Sequence, residues 1–494
     1  MFLTKVQIFC IIKLLIRESF ENRGQTHWMG DIFALVRRNN MFKKLSNGCV
    51  ALVNRFLPDP FIFCIILTAL VFVAAIPLAK QTPMNLVTVW GNGVWGLLAF
   101  SMQMALVLVL GSAFANAPAI KKILQTIASA ATTPTKGIFV VTFVSLIACW
   151  INWGFGLVVG AILAKEIAKQ LDGVDYRLLV ASAYSGFVVW HAGISGSIPL
   201  ALATPGKDAL ALATGGAVTE PIATSNTIFA PYNLVMCLII LICLPLINSK
   251  MHPDKENTFC IDKTLLKELE VEKKVAVTPA EKIENSMAMS MIIAAVGVVF
   301  LVNYFINNGF NLSLNIVNLI FLIAGIIFHK TPINYVNAIA QASGGAAGIL
   351  LQFPFYGGIM AIMTAVSPAG ISLAGVISNW FVSISTDVTF PLFTFLSAGV
   401  VNFFVPSGGG QWAVQGPIMM PAGLELGVSP AITGMAIAWG DAWTNMIQPF
   451  WALPALGIAG LSARDIMGYC LITLFFTAFV VCGGFLIVGI LGLA

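Results

Sequence analysis

The chain has 494 residues, 58% of them hydrophobic and only 10% charged, with a mean hydropathy of +0.92 and a formal net charge of +5. A soluble protein of this length carries about a quarter charged residues, so this chain cannot cover itself with polar groups and belongs in a lipid bilayer. No basic run is interleaved with aromatics, which excludes a nucleic-acid surface and leaves no nucleic acid among the expected partners.

In chain order, residues 1–40 read as an N-terminal extension ahead of a start at Met41; the alternative is an interfacial amphipathic segment. Its apolar stretch "VQIFCIIKLLI" is too short to span and contains Lys13. Apolar spans follow near 61–79, 93–115, 137–151, 178–190, 227–248, 287–306, 314–329, 344–366, 388–404, 431–445 and 466–490. Each suffices for a full or partial crossing at about 1.5 Å per residue of a hydrocarbon core about 30 Å thick. The stretch 249–286, with seven Lys and eight Asp or Glu, divides the chain. Residues 41–248 form a first transmembrane repeat, 249–286 a cytoplasmic linker, and 287–494 an extra helix plus a second repeat.

The halves resemble each other. "TPMNLV" (82–87) matches "TPINYV" (331–336), Gln103 matches Gln352, Asn152 matches Asn402 and Pro199 matches Pro449, at a constant offset of 249 or 250. Lys43, Lys44 and Arg55 put the chain start inside the cell, as do Lys121, Lys122, Lys136, Lys165, Lys169 and Arg177 for the following loops. That holds only if 137–169 enters and returns on one side, turning at "NWGFG" (152–156). The extra span 287–306 inverts the second half, and no Lys or Arg occurs from Thr331 to Ala463. The expected fold is therefore an all-α polytopic membrane protein of two inverted-topology repeats with re-entrant hairpins and broken helices.

"FVPSGGGQW" (404–412) interrupts an apolar tract with proline and three glycines, and is the expected mate of "NWGFG". Such tips are tolerated at membrane depth where they line a cavity, and their helix N-termini attract anions. Asn152, Gly154, Gly156, Asn402, Ser407, Gly408, Gly409, Gly410 and Gln411 are accordingly expected to bind substrate. The alternative is a glycine turn in an extramembrane loop; the apolar flanks count against it.

Ionisable residues inside a membrane are costly and usually functional. His191 in "VVWHAGISGS" and Asp441 in "IAWGDAWTN" differ by 250 and read as equivalent positions. With Asn445 they are the expected coupling-ion residues, since histidine titrates near neutral pH. Alternatively, a backbone carbonyl satisfies His191 and Asp441 caps a helix. "SNT" (225–227) is similar to the sodium-binding tripeptides of some anion transporters, but it lies just before a span and reads as a helix cap. "GISG" (193–196) fits an intramembrane serine protease, but only His252 and His329 follow it. The nine cysteines show no CxxC and no zinc spacing, and Gly206-Lys207 is followed by Asp208, not by the Ser or Thr of a P-loop. No metal, cofactor or catalytic residue is expected.

"RFLPDPFIF" (55–63), "WGNGVWGLLAFSMQMAL" (90–106), "INWGFGLVVGA" (151–161), "VNFFVPSGGGQWAVQGP" (401–417) and "QPFWALPALGIAGL" (448–461) resemble the bacterial short-chain fatty acid transporter family, from about Met41 to the C-terminus. The resemblance implies uptake of acetoacetate, butyrate and similar monocarboxylates across the bacterial inner membrane. It also implies membership of a wider ion-transporter group of inverted repeats, in which homodimers occur. The partners are then a monocarboxylate, a coupling proton or sodium ion, and the bilayer, with the N-terminus cytoplasmic. A dicarboxylate carrier, an intramembrane enzyme and a channel are the competing readings.

Overall fold

The computed structural model describes residues 48–51, 55, 59–204, 210–211, 213–263, 278–309 and 314–493. The extension 1–40, the Gly206-Lys207 pair and the middle of the charged linker lie outside them. Among the described residues every regular element is helical.

Proline opens many helices, where its missing N–H is no loss: α1 (Pro60–Leu78), α2 (Pro83–Gly93), α4 (Pro118–Ser129) and α5 (Pro134–Ile151) in the first half. The Asp59, Thr82 and Thr133 side chains cap α1, α2 and α5 by accepting from the amides of Phe61, Asn85 and Lys136. Among the described residues, seven helical stretches are long and apolar enough to cross a membrane, and an eighth arises if α3 (Leu98–Ala115) and α4, bent 84° apart, count as one span. The remaining helices of the first half are α6 (Trp153–Gln170), α7 (Tyr176–Ser185), α8 (Ser197–Ala203) and α9 (Pro231–Lys250). The second half begins with α10 (Met287–Asn308), whose Ile292, Val296 and Val299 are exposed apolar surface suited to lipid. It continues through α11 (Leu314–His329), α12 (Pro332–Ser343), α13 (Ala347–Thr364), α14 (Leu373–Ser383), α15 (Phe390–Phe404), α16 (Gly408–Glu425), α17 (Pro430–Thr444), α18 (Ala452–Ala459) and α19 (Ala463–Ile490).

Two antiparallel hairpins stand out. In α5–α6, Gly156 packs on Cys149, Gly160 on Ser145, and Gly137 on Ile167 and Leu171, so the two helices run back along each other from a turn at Asn152. In α15–α16, Gln411 Nε2 donates to the Ala398 carbonyl, Gln415 Nε2 to Ser397 Oγ, and Gly423 packs on Phe390. That turn lies at Val405–Ser407. Two further helices are broken: α7 continues as a 3-10 segment, Gly186–Ala192, before α8, and α17 is separated from α18 by a 3-10 turn, Pro449–Trp451.

The elements recur in the same order in both halves, but not in the register the 250-residue offset predicts. The 18-residue helices α3 and α13 start at 98 and 347, an offset of 249. The 18-residue helices α6 and α16 start at 153 and 408, an offset of 255. Six more residues lie between α13 and α16 than between α3 and α6. Beyond that insertion, Asn152, which caps α6, answers to Ser407, which caps α16, and not to Asn402. Pro199 in α8 answers to Pro454 in α18 and not to Pro449. His191 and Asp441 are not equivalent positions either: Asp441 lies inside α17, whereas His191 lies past the end of α7.

Candidate functional site

The two hairpin tips and the two helix breaks converge. The segment after α7 is held against the first tip: Ile194 N–H donates to the Trp150 carbonyl at 2.8 Å, and Gly193 packs so closely on that carbonyl that any side chain would collide. Ser195 Oγ in turn accepts the Trp153 amide at 3.1 Å. Ser195, the protease-like serine, thus closes a hairpin tip, and His252 belongs to the linker, where its Nε2 accepts the Asp175 amide. The same segment touches the second tip. A Cβ built on Gly408 would lie 2.5 Å from Ser197 Oγ and 2.8 Å from His191 Cε1.

His191 and Asp441 are fully buried and in direct contact, Nδ1 to Oδ2 at 2.8 Å. The Ile198 amide lies 3.0 Å from His191 Nε2. A backbone N–H can only donate, so Nε2 accepts, and the ring proton sits on Nδ1 facing Asp441. Oδ1 of Asp441 is buried with no hydrogen-bond partner among the described residues. Asn402 Nδ2 donates to the Asp441 carbonyl and to Thr444 Oγ1, tying the end of α15 to the end of α17. Asn445 follows: its Oδ1 accepts Trp190 Nε1 at 3.0 Å and its carbonyl accepts the Tyr184 hydroxyl at 2.6 Å. His191, Asp441, Asn402 and Asn445 therefore form one buried network at the meeting of four elements.

The glycine-rich residues divide. Asn152, Gly154 and Gly156 are buried; Asn152 Oδ1 accepts the Phe155 amide, and Gly156 faces the Cys149 backbone with no room for a side chain. At the second tip, Gly409 is exposed with nothing within 4 Å of its Cβ position, and the cap from Ser407 Oγ to Gly410 N is long, 3.4 Å. Gln411 is turned away into the hairpin interior, toward Ala398 and Gln415. Of these tip glycines, Gly408 is packed on Ser197 and His191 and Gly410 on Met360, so the N-terminus of α16 has open space beside it at Gly409.

Aromatic rings flank the pair. Trp190 stacks on His191 at 4.1 Å and on Phe187 at 5.5 Å, and Trp153 meets Trp451 edge-on at 5.0 Å. Sequence reading missed Phe187 and Trp190. It also missed Asn233, which donates to the Ala192 carbonyl and accepts from Trp439. Asn233 is a buried polar residue within an apolar span, the signal used for His191, and was legible on the same ground. Ser225 and Asn226 of "SNT" border a cavity of ≈ 640 Å³ at the starts of α9 and α17, which none of the site residues lines.

A many-spanning helical chain with an ionisable pair locked between hairpin tips and helix breaks has the build of a membrane transporter. The family model described as Short chain fatty acid transporter matches residues 41–488, and the chain belongs to that family. Two relatives provisionally named short-chain fatty acid transporters agree. One, from Escherichia coli K12, is 46% identical over 88% of this chain and 98% of its own; one from Haemophilus influenzae Rd is 48% identical over 89% and 98%. The crystal structure of the Alcanivorax borkumensis YdaH transporter aligns with a TM-score of 0.42 at 15% identity, over 87% of this chain and 98% of that one, a likeness too distant to carry its topology over.

Proposed function

We propose that this multi-pass membrane protein carries short-chain monocarboxylates, such as acetoacetate or butyrate, across the bacterial inner membrane together with protons. The observation that carries the reading is the buried His191–Asp441 pair between two hairpin tips. A fully buried ionisable pair in a bilayer is costly and is kept where protons or ions move. The N-terminus of α16, open at Gly409, suits one carboxylate. The neighbouring Trp153 and Trp451 suit a short apolar tail. Moving a monoanion inward against a negative-inside potential costs about 2.3 kcal/mol per 100 mV, and a co-transported proton cancels it.

The inverted-repeat topology, with a cytoplasmic N-terminus, belongs to the same proposal. It is supported by which helix ends meet. Arg177 pairs with Asp465, and His329 with the Ala113 carbonyl, at ends assigned to the cytoplasm. Gln81 donates to the Ala365 carbonyl at ends assigned to the outside. A dicarboxylate is disfavoured because no Lys or Arg lies between Thr331 and Ala463 to hold a second acid group.

Uptake of labelled acetoacetate and butyrate into proteoliposomes tests this. A pH gradient alone is expected to drive accumulation, and a sodium gradient alone is not. Accumulation driven only by sodium would remove the proton from the proposal; none under either gradient would remove the substrates.

A further inference from the structure

We infer that the transported proton is held on Oδ1 of Asp441, and that His191, locked as its neutral Nδ1–H tautomer, positions this carboxyl without becoming charged. The inference rests on the proton-coupled reading and gives that proton an address. Each polar atom of the pair is accounted for. His191 Nε2 accepts the Ile198 amide at 3.0 Å, so a proton arriving there would face an N–H donor. His191 Nδ1 already carries its proton and donates it to Asp441 Oδ2 at 2.8 Å. Oδ1 alone is a buried acceptor without a partner among the described residues. A proton added there forms one O–H bond on an oxygen lone pair and breaks nothing: the Nδ1–H···Oδ2 and Ile198 bonds both survive.

Among the described residues, no other charged side chain contacts the pair. On the elements packed against it, α5 to α9, α15, α16 and α19, the charges stand toward helix ends: Lys136, Lys165, Lys169 with its buried partner Glu166, Arg177, Lys250, Glu425, Arg464 and Asp465, with none on α8 or α15. The Tyr184 hydroxyl, which joins the network through Asn445, is occupied in donating to the Asn445 carbonyl. The pair therefore carries one net negative charge before the proton arrives and none after.

That charge sets an order. Gly408, at the N-terminus of α16, packs directly on His191. A substrate carboxylate at this terminus would lie on the His191 side of the pair while Asp441 is unprotonated, and like charges repel. Protonation of Asp441 removes the repulsion, so the proton binds before the substrate.

The test uses the full-length protein in proteoliposomes, with infrared difference spectra between neutral and acidic buffer and pH-driven butyrate uptake. The wild type is expected to gain the carbonyl band of a protonated carboxyl, absent in Asp441→Asn, with no imidazolium signal. Asp441→Asn, checked for folding by size exclusion, should lose pH-driven accumulation by about tenfold or more, the scale of one buried charged interaction. His191→Ala should lose it similarly. His191→Gln, whose amide can donate to Oδ2 and accept from Ile198, should rescue most of that loss. Imidazolium bands without a carboxyl band, or a His191→Gln variant as inactive as His191→Ala, would overturn the inference while leaving pH-driven uptake standing. Sodium-dependent spectral changes at Asp441 would overturn it in favour of a metal cation. Wild-type uptake indifferent to pH would bring down the proton-coupled reading itself.

Discussion

The two hairpin tips share a build and differ in what surrounds them. Both turn in extended backbone at a polar residue, Asn152 or Ser407, that caps the 18-residue helix after it. The first tip is closed: its amides are taken by Asn152 Oδ1 and Ser195 Oγ, and the Trp150 carbonyl is taken by Ile194. The second is thinly capped and exposes Gly409. Glycine therefore has two meanings in one motif. In "NWGFG" it allows two helices to touch; in "PSGGGQ" it leaves backbone donors beside open space. Closing one tip on the His191 segment fixes that segment, while the other stays available to a ligand.

Substitution of the glycines breaks or sustains this contrast. Gly156→Val forces a branched side chain into the Cys149 backbone, and overpacking of this kind costs about 1–3 kcal/mol or more. The expected outcome is loss of monodisperse protein on size exclusion, the largest effect of the set. A well-folded Gly156→Val would mean that the first hairpin is not packed as described. At Gly409 an added Cβ meets no atom within 4 Å, so Gly409→Val should fold normally. Its isopropyl group would instead cover the open α16 terminus and raise the apparent KM for butyrate by about tenfold, roughly 1.4 kcal/mol of lost binding. Normal KM in a folded Gly409→Val would move the carboxylate site away from the second tip.

Much of this was legible in the sequence for physical reasons. Spans announce themselves by apolar length, helix starts by proline and Thr or Asp caps, and hairpin tips by glycine and proline within apolar tracts. His191 and Asp441 stand out because each is an ionisable side chain in such a tract. Their direct contact is not legible, because nothing local links residues 250 apart. The matching numbers pointed to symmetry-related positions, yet the inserted residues ahead of α16 shift the register and make the coincidence accidental. Nor does sequence separate a packing glycine from an open one: Gly156 meets Cys149 across its own hairpin, whereas Gly409 at the other tip has nothing within 4 Å of its Cβ position.

The caps supply the smallest and sharpest comparison. Asn152 is buried, and its Oδ1 accepts the Phe155 amide at 3.0 Å, with a second amide of the tip satisfied by Ser195. Asn152→Ala removes that acceptor from a buried turn, a loss of about 1 kcal/mol for a good cap. It should lower the thermal denaturation temperature in detergent. Ser407 reaches the Gly410 amide at only 3.4 Å beside exposed Gly409, so the amides there are already partly free. Ser407→Ala should therefore change thermal stability by no more than a few tenths of a kcal/mol, and act mainly on butyrate KM if the hydroxyl helps hold the carboxylate. If the ranking were reversed, with Ser407→Ala the more destabilising and Asn152→Ala the more damaging to KM, the closed and open tips would have exchanged roles, and the carboxylate would belong beside Asn152.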